Sequence, residues 1–236
     1  MAGSYAALPY DRVARSYADY PYDRVAWCYD ALAAAYSLGR IGRSRRFHLA
    51  RIGPGESVLY AGVGRGREAI SAARAGARVT AVDVSLAMLE RLDRDARREG
   101  VQLELIQGDV TTAVSTRGFD WVVGHYFLNL YDLQSSRFVL GRLVERLNPK
   151  GRLCIADFSP PGPGLWQRGL TRAYYAPLNA LASFFGLCDR HPIPDYRPWL
   201  DESGLRLVET ARFDLPVLRG LAYWTLIAER ADPDHT

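Results

Sequence analysis

The stretch Val58-Leu59-Tyr60-Ala61-Gly62-Val63-Gly64-Arg65-Gly66-Arg67-Glu68 decides how the rest of the chain is read. Apolar and aromatic residues run straight into three glycines spaced two apart. A short apolar run of this kind reads as a buried strand. Glycines directly after it mark a turn where backbone comes very close to something, because a Cβ would block the approach. Helix-favouring residues follow from Arg67 to Arg74. Strand, glycine turn and helix form the first unit of a nucleotide-binding α/β sheet, with the ligand over the strand's carboxyl end. Gly62, Gly64 and Gly66 are therefore candidate cofactor-binding positions. Plain tight turns also use glycine, so the pattern gains its weight from what lies around it.

Downstream, strands and helices alternate. The sequence predicts strand 57–61, helix 66–75, strand 78–82, helix 86–98, strand 102–107, strand 119–124, helix 133–147 and, after the turn Asn148-Pro149-Lys150-Gly151, strand 152–156. Such alternation argues for a parallel, doubly wound sheet. Residues 158–200 break it: a Pro/Gly loop leads into aromatic and apolar residues at helical spacing from Leu165 to Leu187. This reads as an insertion above the sheet's carboxyl edge. A last helix is expected over 196–203. Residues 204–210 and 222–228 read as two final strands with no helix between them, hence a hairpin.

Upstream, Pro9-Tyr10-Asp11-Arg12-Val13-Ala14 recurs as Pro21-Tyr22-Asp23-Arg24-Val25-Ala26, and tyrosine is frequent. Two copies are too few for a solenoid. One further helix is expected over 44–52. The predicted organisation is a helical lid over 1–50 and a Rossmann-like domain over 51–236 that carries the lid insertion 158–200. The lid segments either pack on the core or close over a ligand and exclude water.

Composition narrows the function classes. The chain has 236 residues, 48% hydrophobic and 24% charged, as in an ordinary globular protein. No apolar run reaches the ~20 residues of a spanning helix, and Met1 to Pro9 lacks the features of a secretory signal. A cytoplasmic protein without a membrane span is expected. The net charge of +4 is almost wholly arginine with interleaved acids, which reads as a solvated surface rather than a nucleic-acid face. Cys28, Cys154 and Cys188, and His48, His125, His191 and His235, are scattered, so no metal site is expected.

Asp83 ends the second predicted strand, about 20 residues after the glycine turn, where a carboxylate can accept both ribose hydroxyls. The competing reading is a helix N-cap, which Ser85 fills better. Asp109, after Gln107-Gly108, is placed to accept an adenine amino group, with the backbone of Val110 near a ring nitrogen. Val84 and Met88 either sandwich the adenine or belong to the core.

The series Val58 to Gly66, Val82-Asp83-Val84-Ser85-Leu86-Ala87-Met88-Leu89, Gln107-Gly108-Asp109 and Leu147-Asn148-Pro149-Lys150-Gly151-Arg152-Leu153 resembles the class I S-adenosylmethionine (SAM)-dependent methyltransferases over roughly residues 20–230. The resemblance implies a seven-stranded, mostly parallel sheet with a C-terminal antiparallel hairpin, and SAM as cosubstrate without a metal. Tyr22-Asp23-Arg24-Val25-Ala26, Tyr29-Asp30 and Asp157-Phe158-Ser159-Pro160 resemble the small-molecule branch that includes quinone C-methyltransferases. That branch implies an N-terminal tyrosine, here Tyr22 or Tyr29, at the SAM carboxylate. The chain departs from the family at Tyr60, where an Asp or Glu usually helps hold the methionyl ammonium. Glu68 either compensates or simply favours the helix dipole.

In the family, the loop after the fourth strand lies between SAM and the acceptor. Here it reads Gly124-His125-Tyr126-Phe127-Leu128-Asn129-Leu130-Tyr131. His125 is either a general base near neutral pH, a donor to SAM or a structural residue. Asn129 and Tyr131 are placed to orient an amine or the sulfonium. Aromatic faces from Tyr22, Tyr29, Trp166 or Tyr175 can enclose a cation.

The implied reaction is methyl transfer to a small apolar or aromatic metabolite, by a monomer or homodimer without nucleic acid. RNA methyltransferases of this fold usually carry an Asn/Asp-Pro-Pro-Tyr-type loop, absent here. The alternative is an enzyme resembling azetidine-2-carboxylate synthases. There the α-amino group attacks SAM's own γ-carbon and releases methylthioadenosine.

Overall fold

The computed structural model describes residues 34–115, 118–184, 192–216, 218 and 220–231, with side chains to 176 in the long helix that ends at 184. The tyrosine-rich repeat, Tyr22, Tyr29, Cys28, Cys188, His191 and His235 lie outside the described residues. The elements run α1 (Arg40–Arg46), β1 (Ser57–Ala61), α2 (Arg67–Arg74), β2 (Arg78–Asp83), α3 (Leu86–Arg98), β3 (Glu104–Gln107), β4 (Phe119–His125), α4 (Leu133–Val144), β5 (Leu147–Phe158), α5 (Leu165–Phe184), α6 (Arg197–Glu202), β6 (Leu205–Asp214) and β7 (Ala222–Arg230). They build a seven-stranded sheet in the order β3-β2-β1-β4-β5-β7-β6. β1 to β5 are parallel, and β7 runs antiparallel to both β5 and β6. The expected Rossmann-like sheet and terminal hairpin are present.

The strand order reverses between β1 and β4, which opens a crevice over their carboxyl ends. The central strands are buried on both faces, so their residues divide by alternation between two cores. Leu59 and Ala61 of β1 join Val122, Leu153 and Leu226 against α4 and α6. Val58 and Tyr60 join Trp121, Val123, Cys154 and Ile227 against α2 and α3. β6, at the edge, alternates buried or half-buried with exposed residues along its length, as an edge strand with one wet face does. α3 starts at Ser85, whose hydroxyl accepts the Met88 N–H at 3.3 Å, and α4 starts at Asp132, which accepts Gln134 and Ser135 N–H at 2.9 Å.

Two local expectations are corrected. The segment read as one helix over 44–52 is the end of α1 followed by a 3-10 turn, Phe47–Arg51. Asn148-Pro149-Lys150-Gly151 is not a turn before the strand but part of β5, taken up as an irregularity where the partner register jumps from Phe119–Leu147 to Trp121–Arg152. Gly151 permits this, because a Cβ there would lie 2.6 Å from the Phe119 carbonyl oxygen.

Leu140 is fully buried in the α4 core, whereas Leu133 on the same helix is 38% exposed. Leu140→Ala is expected to lower the unfolding free energy by about 3 kcal/mol, and Leu133→Ala by under about 1 kcal/mol. Denaturant titration of both variants checks this; equal losses would contradict the described core.

Candidate active site

The turn after β1 is shaped by what presses on it. Gly62 has φ +62°, and a Cβ there would lie 2.2 Å from Phe127 Cδ2. Phe127, from the loop after β4, thus sits on bare backbone. Gly64 has φ +53° and open space where its Cβ would be. Its N–H donates to Asp83 Oδ2 at 2.9 Å, and Ser85 N–H donates to Oδ1 at 3.0 Å. Two backbone donors therefore aim the Asp83 carboxylate at the turn. Burial pushes its pKa up, while the bonds from Ser85 and Gly64 oppose that. Since Ser85 caps α3, Asp83 does not serve as the cap.

At the end of β3, Asp109 Oδ1 accepts both the N–H and the hydroxyl of Thr111 at 2.7 Å, an Asx-type turn. Val110 and Met88 are buried and Val84 is half-buried. Leu86, 51% exposed beside Asp83, was not singled out from the sequence.

Below the turn, Tyr60 is buried in a network of its own. Its hydroxyl lies 2.7 Å from His48 Nε2 and donates to the Glu68 carbonyl at 3.2 Å. The Glu68 carboxylate, itself buried, takes an ion pair from Arg45 Nη2 at 2.9 Å. Tyr60, Glu68, Arg45, Gly62, Val63 and His125 line a cavity of ≈ 20 Å³. That is about the room of one water molecule. Burial lowers the His48 pKa to about 3, with Arg45 and Arg51 adding to the effect and the Arg45 carbonyl opposing it. Burial likewise holds His125 well below the usual histidine range, with His48 and Arg45 contributing. Both imidazoles are neutral near pH 7. A nitrogen so depressed is a weak proton acceptor, which argues against His125 as a general base near neutral pH.

The loop after β4 is strained where it leaves the strand. Tyr126 has φ +51°, rare for a residue with a Cβ. Its N–H donates to the Ala156 carbonyl at 2.8 Å, and its hydroxyl lies 2.8 Å from Ser44 Oγ on α1. Asn129 follows in the 3-10 turn Leu128–Leu130, and Tyr131 packs its ring edge-on against Phe127 at 5.4 Å.

Beside this loop lies an aromatic cluster. Phe158, at the end of β5, meets Tyr175 at 4.5 Å, Tyr126 at 5.5 Å and Tyr223 at 5.5 Å between ring centroids. Tyr175 is buried, and its hydroxyl donates to the Ala222 carbonyl at 3.3 Å. Tyr36 stacks on Tyr174 at 4.3 Å. Trp166 is 62% exposed at the start of α5 and takes no part in the cluster's ring contacts. Asp157, buried next to Phe158, accepts the Tyr196 hydroxyl at 2.6 Å.

Tyr60, Gly62, Gly66 and His125 thus line one cavity, Gly64 of the same turn meets Asp83 through a hydrogen bond, and Asp109 and Val110 follow the neighbouring strand β3. Arg45 lines the cavity and His48 meets the Tyr60 hydroxyl, and no sequence pattern marks either residue. Arg45 belongs to an arginine-rich run that reads as a solvated face, and only its contact with Glu68 reveals otherwise.

Residues 58–151 match the family model described as a methyltransferase domain. That match covers the segment from β1 to the middle of the β5 irregularity. The chain is similar to demethylmenaquinone methyltransferase of Renibacterium salmoninarum, 30% identical over 158 residues, covering 66% of this chain and 64% of that one. It is 28% identical over 129 residues to the ribosomal protein L11 methyltransferase of Thermus thermophilus, covering 55% and 49%. The chain thus spans about half to two thirds of the length of these relatives. Among solved structures, the fold is similar to 1,6-didemethyltoxoflavin-N1-methyltransferase of Burkholderia thailandensis, with TM-score 0.66, 23% identity and coverage of 98% and 94%. It is also similar to magnesium protoporphyrin IX methyltransferase of Synechocystis, with TM-score 0.61, 21% identity and coverage of 95% and 92%.

Gly62→Ala is expected to lose at least about 2 kcal/mol of stability, from the αL strain and the collision with Phe127. Phe127→Ala should cost less in the Gly62→Ala background than alone. A double-mutant cycle by denaturation measures the coupling; additive losses would mean that the ring does not rest on the turn.

Proposed function

We propose that the chain is a SAM-dependent methyltransferase that acts on a small apolar or aromatic acceptor. The observation that carries this reading is the joint placement of the Gly64 and Asp83 pair and the Arg45–Glu68 pair around one crevice. The residues fit the cosubstrate. Asp83 offers a carboxylate for ribose hydroxyls, and the bare backbone at Gly64 leaves room beside it. Asp109 and Val110 offer the acceptor and backbone groups for an adenine edge, and Val84, Leu86 and Met88, which follow Asp83, offer apolar faces for the ring. Where Tyr60 replaces the usual acid, Arg45 and Glu68 supply one charge of each sign for an α-amino-acid zwitterion. Tyr22 and Tyr29 remain candidates for the carboxylate end.

When bound, SAM supplies a methyl group made electrophilic by its sulfonium. The chain's own work is then to bind, orient and exclude water. The aromatic cluster of Phe158, Tyr175, Tyr126 and Tyr223 supports an apolar, flat acceptor and faces that stabilise a cation. Asn129 and Tyr131 are assigned to orienting groups at the loop after β4. Because His125 is a weak base, the favoured acceptor is one that releases its proton readily or to solvent.

One observation favours a second reading, the cyclisation of SAM to azetidine-2-carboxylate and methylthioadenosine. Among the described residues that line the cavity, Glu68 is the one acid, and Arg45 already neutralises it. With both imidazoles neutral, the cleft has no net negative charge to hold an ammonium. The α-ammonium would first lose one proton to solvent; the neutral amine would then attack the γ-carbon, forming the C–N bond as the Cγ–sulfonium bond breaks and methylthioadenosine leaves.

Incubation with SAM alone separates the two. Methyl transfer requires SAM to persist until an acceptor such as a demethylated quinone is added, and S-adenosylhomocysteine to appear then. Methylthioadenosine formed without any acceptor would overturn the methylation reading. Asp83→Asn is expected to weaken S-adenosylhomocysteine binding by about tenfold or more, from the loss of charge-assisted hydrogen bonds; unchanged affinity by calorimetry would remove Asp83 from the site.

A further inference from the structure

On the α1 side of the sheet, behind the cavity, three side chains of metal-ligand type converge from separate elements. His48 comes from the 3-10 turn after α1, His125 from the end of β4, and Cys154 from the middle of β5. One donor atom from each lies within 4.8 Å of the other two. His48 and Cys154 are fully buried, and the two imidazole centroids are 4.7 Å apart.

Hydrogen bonding does not account for the cluster. Cys154 Sγ lies 3.8 Å from His125 Nε2, a contact in which the thiol is at best a weak donor. His48 Nδ1 is buried with no partner of good hydrogen-bond geometry, its backbone contact being a looser one with the Arg45 carbonyl. The arrangement around it is ordered: the Tyr60 hydroxyl meets His48 Nε2 at 2.7 Å and is itself held by the Glu68 carbonyl. A second polar partner on one ring nitrogen is how metal-binding imidazoles are oriented, with the other nitrogen left for the ion.

We propose that His48, His125 and Cys154 form a binding site for a borderline-soft divalent cation, zinc by its ligand preference. Two imidazoles and a thiolate favour zinc over magnesium or calcium, which take oxygen ligands. Zinc takes neutral imidazoles and a thiolate, so binding the ion forms a metal–sulfur bond and releases the Cys154 thiol proton to solvent. Closing the three donors onto one ion draws their separations in by about 1 Å, from the usual zinc–nitrogen and zinc–sulfur lengths. The ion would tie α1's following turn to β4 and β5 beneath the crevice. This site does not depend on what the crevice binds.

The test uses the full chain, stripped with a chelator and desalted, and titrated with Co²⁺ as a coloured stand-in for zinc. One equivalent is expected to bind with a thiolate-to-cobalt charge-transfer band, displaced by one equivalent of Zn²⁺ and not by excess Mg²⁺. Zn²⁺ should also raise the melting temperature of the wild-type chain. Cys154→Ser should lose the band, and His48→Gln should weaken Co²⁺ binding at least about tenfold. The wild-type titration decides even where a variant fails to fold. No saturable band in the wild-type chain overturns the proposal, as does a band of unchanged affinity in folded Cys154→Ser.

Discussion

Phe127, from the loop after β4, rests its ring on Gly62, in the turn after β1. β1 and β4 are hydrogen-bonded neighbours, so the turns that leave them must share the space above their carboxyl ends. A side chain at Gly62 would occupy the position of the ring. With the ring in place, the turn after β1 adopts left-handed backbone at Gly62 and Gly64, and the Gly64 N–H points to Asp83. The loop after β4 is fixed in the same step, with Tyr126 strained and tied to Ser44 of α1. One steric contact therefore sets the crevice floor and the direction of both loops.

The substitution at Tyr60 changes the chemistry of that crevice without disturbing its shape. Its hydroxyl is absorbed by His48 and the Glu68 carbonyl, below the turn. Next to it, Glu68 at the start of α2 carries a buried carboxylate with its own counter-charge, Arg45. An ion pair of this kind loses little when a zwitterion joins it, because each new charge meets its opposite. The neutral histidines beside it add no charge of their own.

Much of the fold was legible because the period-2 and period-3.6 patterns are consistent along 57–158. Helix α3 was placed at its observed bounds, since Ser85 marks its start and Gly100 follows its end. The Asn148-Pro149-Lys150-Gly151 segment was misread because proline and glycine signal a turn, whereas here pairing with β4 resumes across an irregularity. Gly64, Asp83 and Asp109 were legible because each follows a strand at a fixed offset. Arg45, His48 and Cys154 were not, since they meet only after α1 folds onto the sheet face. No spacing in the sequence encodes that contact.

Recognition of the cosubstrate's amino-acid end by Glu68, rather than by a strand acid, is tested by calorimetry. Affinities for S-adenosylhomocysteine and for methylthioadenosine, which lacks that end, are compared between the wild-type chain and Glu68→Gln. A loss of about tenfold or more is expected for S-adenosylhomocysteine, with an unchanged affinity for methylthioadenosine. Equal losses for both ligands, or no loss for either, would contradict it.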